Sequence, residues 1–226
     1  MQDLSQFTDA LLSAATSEGA EAADAIATEG RSLSIDVRDG ELEQAERAEG
    51  VEIGLRVLIG KRQACVSASD TSADTIQALA ERAVAMAKIA PEDPHIGLAD
   101  PDQLAQETDA ASLDLIEHGD EPEPVALQEM AARTEATALA HEGISQVQAA
   151  TAAFSRTAMH LSATNGFSAG YERSSHGLYC VAITGSGTDM ERDYFGESRI
   201  YRADLLTPEE IGNIAAERTL QRAGAR

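Results

Sequence analysis

Two stretches of period-two alternation, each closed by a tight-turn dipeptide, limit what this chain can fold into. Leu33, Ile35 and Val37 alternate with Ser34, Asp36 and Arg38, and Asp39-Gly40 follows as a hairpin signal. Leu42 to Arg47 is the predicted return strand. Val51, Ile53, Leu55, Val57 and Ile59 alternate again, Gly60-Lys61 turns, and Gln63 to Ser69 pairs back. Much later, strand patterns recur at Ile144 to Phe154 and Thr157 to Ala163, with Asn165-Gly166 as the turn. Leu178 to Thr184 and Tyr194 to Tyr201 read as further strands. Side chains with this period line one face of a pleated sheet, and strands that follow one another through short turns form antiparallel meanders.

Helical spacing brackets each group of strands. Leu4, Phe7, Leu11 and Ala14 fall on one face, and Gly19 supplies a stop. Thr71 and Asp74 have capping-box spacing ahead of the stripe Ile76, Leu79, Ala83 and Ala87, which ends before Pro91. Pro124 can begin a third helix with the stripe Leu127, Met130, Ala131, Thr134 and Ala138, stopped by Gly143. Thr207-Pro208-Glu209-Glu210 combines a cap, a proline at the first helical position and a glutamate at the third. The final helix then runs through Ile211, Ile214, Ala215 and Leu220 to Gly224.

The order helix, strands, helix therefore occurs twice. Ala80-Glu81-Arg82 and Ala216-Glu217-Arg218 sit at matching places in the closing helices, a weak echo of an internal repeat. Runs of strands followed by helices, without βαβ alternation, predict an α+β fold: antiparallel sheets with helices packed on one face. Between the halves, Glu92 to Glu123 is acidic, holds no Lys or Arg, and carries Pro94, Pro101 and Pro122. The expectation is two subdomains, 1–91 and 124–226, joined by an acidic connector, 92–123.

Composition narrows the function classes. Hydrophobic residues make up 43% of the 226, aromatic residues only 4%, and Trp is absent, so Ala, Leu, Ile and Val must build the core. A formal net charge of −22 repels phosphate backbones and anionic membranes, which argues against nucleic-acid binding and membrane adsorption. No apolar run reaches the roughly 20 residues that span a bilayer. Met1 to Ala15 lacks a basic n-region and a continuous apolar stretch, so a soluble, cytoplasmic protein is expected. Cys65 and Cys180 could pair, but buried free thiols are the expectation.

Candidate chemistry is sparse. The one His-Glu dipeptide, His141-Glu142, is followed by Ser145, Gln146 and Val147 where a second ligand would lie, so no metal site is expected from this chain. Gly166-Phe167-Ser168-Ala169-Gly170 matches a nucleophile elbow, yet a strand or turn follows Ser168, and the only later histidine, His176, is eight residues on. A hairpin is the better reading. Gly185-Ser186-Gly187 is expected to be a turn. Asp189, Glu191, Arg192 and Asp193 are expected to form a salt-bridged turn leading into a strand.

From Asn165 to Tyr194 the sequence becomes distinctive. Ser175-His176-Gly177, followed by Asp189-Met190-Glu191-Arg192-Asp193-Tyr194, resembles the N-terminal domain of the TldD/PmbA family, also called modulators of DNA gyrase. The hairpin from Gly50 to Ser69, the helix exit Ala90-Pro91-Glu92-Asp93-Pro94 and the helix from Thr207 to Leu220 agree with it. The likeness extends from about Arg31 to Leu220, and Met190 to Tyr194 is nearest the PmbA, or TldE, branch.

The resemblance implies a non-catalytic subunit domain of a heterodimeric metalloprotease that takes in and cleaves unfolded peptides. Zinc would be expected only in a TldD-like partner subunit, whose C-terminal domain carries a His-Glu-x-x-x-His motif. Family members extend beyond this length, so residues 1–226 correspond to their N-terminal domain, with the C-terminal domain absent. No catalytic or metal-ligating residue is assigned. Asn165, Gly166, His176, Gly177, Met190, Glu191, Arg192, Asp193 and Tyr194 are the candidate peptide-chamber or structural motif. A protein-interaction module without a role in proteolysis is the alternative.

Overall fold

The computed structural model describes residues 3–225. Its element order is α1 (Leu4–Ser17), β1 (Ala22–Arg38), β2 (Glu41–Ile59), β3 (Arg62–Ala68), α2 (Ala73–Ile89), α3 (Pro124–Leu139), β4 (Ile144–Ala163), β5 (Ser168–Thr184), β6 (Glu191–Arg199) and α4 (Pro208–Gln221). The strands form one antiparallel six-stranded sheet in the order β3-β2-β1-β4-β5-β6. The fold is α+β, and helix, three strands, helix occurs twice along the chain. Among the described residues no helix is long and apolar enough to cross a membrane.

Local chemistry explains most boundaries. Asp3 caps α1, accepting from Ser5 N at 3.2 Å. The α2 cap is Ser72 rather than Thr71: its Oγ accepts from Thr75 N, while Asp70 braces Ser72 N at 3.0 Å. Thr207 and Glu210 form the capping box of α4, with Pro208 in the first turn. At the β1–β2 turn Asp39 and Gly40 both take positive φ, 55° and 76°, as a two-residue turn of this kind demands.

Strands are longer than the alternation indicated. Gly50 lies inside β2 and does not divide it, so Leu42–Arg47 and Val51–Ile59 are one strand. Likewise β4 runs unbroken through Ser155 and Arg156. β1 begins at Ala22, where Ala23, Ala25 and Ala27 are buried at alternate positions.

Contacts divide the chain into two units that do not follow sequence order. The first comprises residues up to Gly30, Glu49–Asp114 and Thr157–Glu172. In it α1 and α2 bury Leu11, Leu79, Ala80 and Ala83 against Ala23, Ala25, Ile53, Leu55 and Val57. Arg56 on β2 closes a bidentate ion pair with Asp24 on β1.

The second unit comprises Arg31–Ala48, Leu115–Arg156 and the chain from Arg173 onward. Here α3 and α4 bury Leu127, Ala131, Ile211, Ala215 and Ala216 against Leu33, Ile35, Val37, Phe154, Leu178 and Cys180. Gly212 lets the two helices approach closely: a Cβ there would lie 2.5 Å from Thr134 O. Ala80 and Ala216, the first members of the repeated Ala-Glu-Arg string, are each fully buried.

The two cysteines differ from each other, and only Cys65 departs from expectation. Both are free, but Cys65 is exposed on β3, because its neighbour Ala64 takes the inward position of the pleat. Cys180 is buried, and burial first, with the nearby Glu135 charge second, pushes its thiol up to about 12.

Candidate functional site

The pleat of β4 and β5 sets the site in the second unit. His176 shares the inward face with Leu178, Cys180 and Ala182 and is only 5% exposed. Phe154, from neighbouring β4, packs against its ring with centroids 5.0 Å apart and planes tilted by 52°.

The end of the acidic stretch closes over these rings. Ser174 N donates to Leu115 O at 3.0 Å, Ser174 Oγ accepts from Glu117 N at 2.7 Å, and Tyr201 Oη donates to Ile116 O at 3.2 Å. Arg156, from the middle of β4, donates through Nη2 to Glu117 O at 2.8 Å and to Gly119 O at 3.3 Å. Glu121 receives Arg31 at 2.5 Å and Arg47 at 3.4 Å. A stretch without a cation of its own is thus held by arginines from the strands.

A polar cavity of about 250 Å³ remains, lined by Glu117, His118, Gly119, Asp120, Pro122, Phe154, Arg156, His176 and Arg202. Glu117 Oε2 approaches His176 Nε2 to 2.5 Å, but off the line a hydrogen bond needs, so Nε2 lacks an aligned partner. Burial lowers the His176 pKa and outweighs the raising effect of Glu117; Arg202 and Arg156 add to the lowering. The imidazole is therefore held predominantly neutral at neutral pH. Arg156 Nε is buried without a hydrogen-bond partner. Its lining offers charged and hydrogen-bonding groups for recognition and holds no serine, threonine or cysteine.

A second, apolar cavity of about 240 Å³ lies in the first unit, between Ala105 to Leu113 and the side chains of Met159, Leu161, Phe167 and Tyr171.

The residues singled out from sequence separate into different places. Asn165 and Gly166 make the β4–β5 turn of the first unit, where Gly166 takes φ +95° and Asn165 Nδ2 donates to Ala99 O at 2.9 Å. In the second unit, His176 alone of the set lines the polar cavity. Gly177 and Gly196 lie beneath the Tyr179 ring; a Cβ on Gly177 would sit 2.7 Å from that ring. Met190 and Tyr194 are exposed. Arg192 Nη1 donates to Gln148 Oε1 at 3.1 Å.

Asp193 forms its ion pair with Arg222 Nε at 2.6 Å, at the end of α4, and not with Arg192. The expected salt-bridged turn is instead a tie from strand to helix, because Arg192 points to Gln148. Hydrogen bonds from Arg222 and from Tyr194 N hold the Asp193 carboxyl below its ordinary range.

Ser168 begins β5 directly after the hairpin turn, so no elbow forms. Its Oγ nevertheless lies 3.3 Å from His160 Nε2, while His160 Nδ1 meets Thr8 Oγ1 at 3.0 Å. Hydroxyls rather than a carboxylate orient this imidazole, so the third member of a triad is missing. Among the described residues, no three His, Cys, Asp or Glu side chains are grouped as a metal ion would require.

Sequence reasoning missed Glu117, Phe154, Arg156, Arg202 and His160. Strand pairing and docking of the acidic stretch bring the first four together in the second unit, His160 meets Thr8 and Ser168 in the first, and no local motif marks them.

Comparison with known proteins agrees with this architecture. Residues 23–87 match the PmbA/TldA metallopeptidase domain 1, and residues 117–223 match the central domain of the same family. The metalloprotease PmbA of Escherichia coli O157:H7 is 32% identical over 216 residues, covering 95% of this chain and 47% of that protein. A PmbA homologue from Haemophilus influenzae is 30% identical over 224 residues, covering 98% of this chain and 48% of that protein. The chain thus spans about half the length of these relatives.

Two solved structures share the fold. A Bacteroides thetaiotaomicron protein described as a modulator of DNA gyrase superposes with TM-score 0.80 at 19% identity, over 98% of this chain and 50% of that one. TldE from Thermococcus kodakarensis superposes with TM-score 0.71 at 16% identity, over 95% of this chain and 47% of that one. With two consecutive domains of one family matched along most of its length, the chain belongs to the PmbA/TldD metallopeptidase family.

Proposed function

We propose that this chain is the non-catalytic N-terminal half of a PmbA/TldE-type subunit that works in the cytoplasm with a TldD-like metalloprotease subunit on unfolded peptides. The observation that carries the reading is the outward face of β5 and β6 in the second unit. Leu178, Cys180 and Ala182 are buried under the helices, whereas Tyr179 is 39% and Tyr194 64% exposed on alternate positions. Gly177 and Gly196 keep the strand surface low, so Tyr179 lies flat across it. Beyond Tyr194, β6 has no further strand neighbour among the described residues. An extended peptide can pair with such an edge through backbone hydrogen bonds and rest side chains on the aromatic strip, with little demand on its sequence. The zinc would come from the partner.

Reconstitution tests this. The partner subunit is assayed for cleavage of an unfolded peptide with this chain, without it, and with this chain alone. Cleavage that needs both proteins, with the peptide photocrosslinking to β5 or β6, is the expected result. Turnover by this chain alone, or a partner equally active without it, overturns the proposal; the second outcome supports an interaction module outside proteolysis.

A further inference from the structure

The polar cavity of the second unit holds charge that its own hydrogen bonds leave unused. Arg156 spends Nη2 on two carbonyl oxygens and leaves Nη1 without a hydrogen bond among the described residues. Arg202, at the mouth, is in no ion pair among the described residues, although its backbone N lies 3.5 Å from Glu117 Oε2. On the acidic stretch Asp120 lines the same space, equally without an ion-pair partner. Two guanidinium groups and two carboxylates, Glu117 and Asp120, therefore line one cavity with donors and acceptors to spare.

We propose that this cavity binds a small zwitterion, an α-amino acid or a dipeptide. Its carboxylate would meet Arg156 and Arg202, and its ammonium group Asp120, with Glu117 adding to the field. Neither charge alone fits as well. A bare anion must approach Glu117 and Asp120, and a bare cation must approach two guanidinium groups. A ligand with both ends satisfies both walls through charge-assisted hydrogen bonds. The space of about 250 Å³ suits a molecule of that size and is below the usual range for drug-sized ligands. Phe154 and Pro122 offer apolar surface for a small side chain.

The test is an NMR titration of the 226-residue chain with alanyl-alanine, N-acetyl-alanine and alanine amide, following the amides of Gly119 and Gly177. Alanyl-alanine is expected to give saturable shifts, and each capped analogue to bind at least about 10-fold more weakly for want of one charged contact. Arg202→Gln, a change at an exposed position, is expected to weaken the dipeptide about 5-fold or more while leaving the rest of the spectrum in place. Shifts that never saturate, equal affinity for either capped form, or an unchanged Arg202→Gln affinity each overturn the proposal. Because the measurement needs no partner and no proteolysis, its outcome is separate from that of the reconstitution assay.

Discussion

The two units each hold a long hairpin against a helix, and they do so with different chemistry. In the second unit the tip of the β1–β2 hairpin is held by Glu135 of α3, which is 2% exposed and accepts from Asp39 N at 2.7 Å and Gly40 N at 2.9 Å. In the first unit the β4–β5 hairpin is held to α1 by neutral groups: Thr8 Oγ1 meets His160 Nδ1 at 3.0 Å and Ser162 Oγ at 3.1 Å. A carboxylate can accept two backbone N–H groups of a positive-φ turn at once, and hydrogen bonds to charge are the stronger class. A hydroxyl network shares its protons among several weak partners. The contrast implies that the first hairpin depends on one side chain and the second on several.

Breaking the charged clamp has the largest expected effect. Glu135→Leu leaves two turn N–H groups without their acceptor and is expected to cost about 2–4 kcal/mol in urea unfolding. Glu135→Gln keeps an acceptor oxygen but loses the charge, and about half that loss is expected. A Glu135→Leu variant as stable as the parent would remove the asymmetry altogether. Thr8→Val, nearly isosteric at a fully buried position, is expected to cost about 1–2 kcal/mol, because Ser5 O, His160 and Ser162 keep other partners or reach water. A loss equal to that of Glu135→Leu would show that the neutral clamp is equally concentrated on one group.

The smallest effect separates the second unit by pH. With its folded-state pKa below the unfolded value of about 6.5, His176 takes up a proton more readily in the unfolded chain. Stability is then full above that value and falls as pH drops through it towards the lower folded-state pKa. His176→Asn is expected to flatten this slope, as read from denaturation midpoints across mildly acidic pH. An unchanged slope would place the titrating group elsewhere.

Sequence and structure agree where the signal is local. Asp39-Gly40, Asn165-Gly166 and the Thr207-to-Glu210 box each act within a few residues, and each turn or cap forms as their chemistry requires. They part where the signal is weak or distant. Ala23, Ala25 and Ala27 alternate inward, but alanine is a poor strand former, so the start of β1 is hard to recognise. Gly50 suggests a break, yet an exposed strand paired to β1 tolerates it. The cavity is least legible of all. Glu117, Arg156, His176 and Arg202 are separated by tens of residues, and only the register of the sheet and the anchored acidic stretch assemble them.

Each unit borrows a hairpin from the other half of the chain, and this affects how the protein emerges from the ribosome. The first unit lacks Thr157–Glu172 when Asp114 has been made, so Ala158 and the partners of Thr8 are still missing. At ordinary elongation rates the wait is roughly 3–12 s. During it, the margin of β1 that pairs with β4 stays bare, although α1 can already pack with α2 on the first strands. Synthesis order thus makes this margin of β1 one of the later parts to become protected.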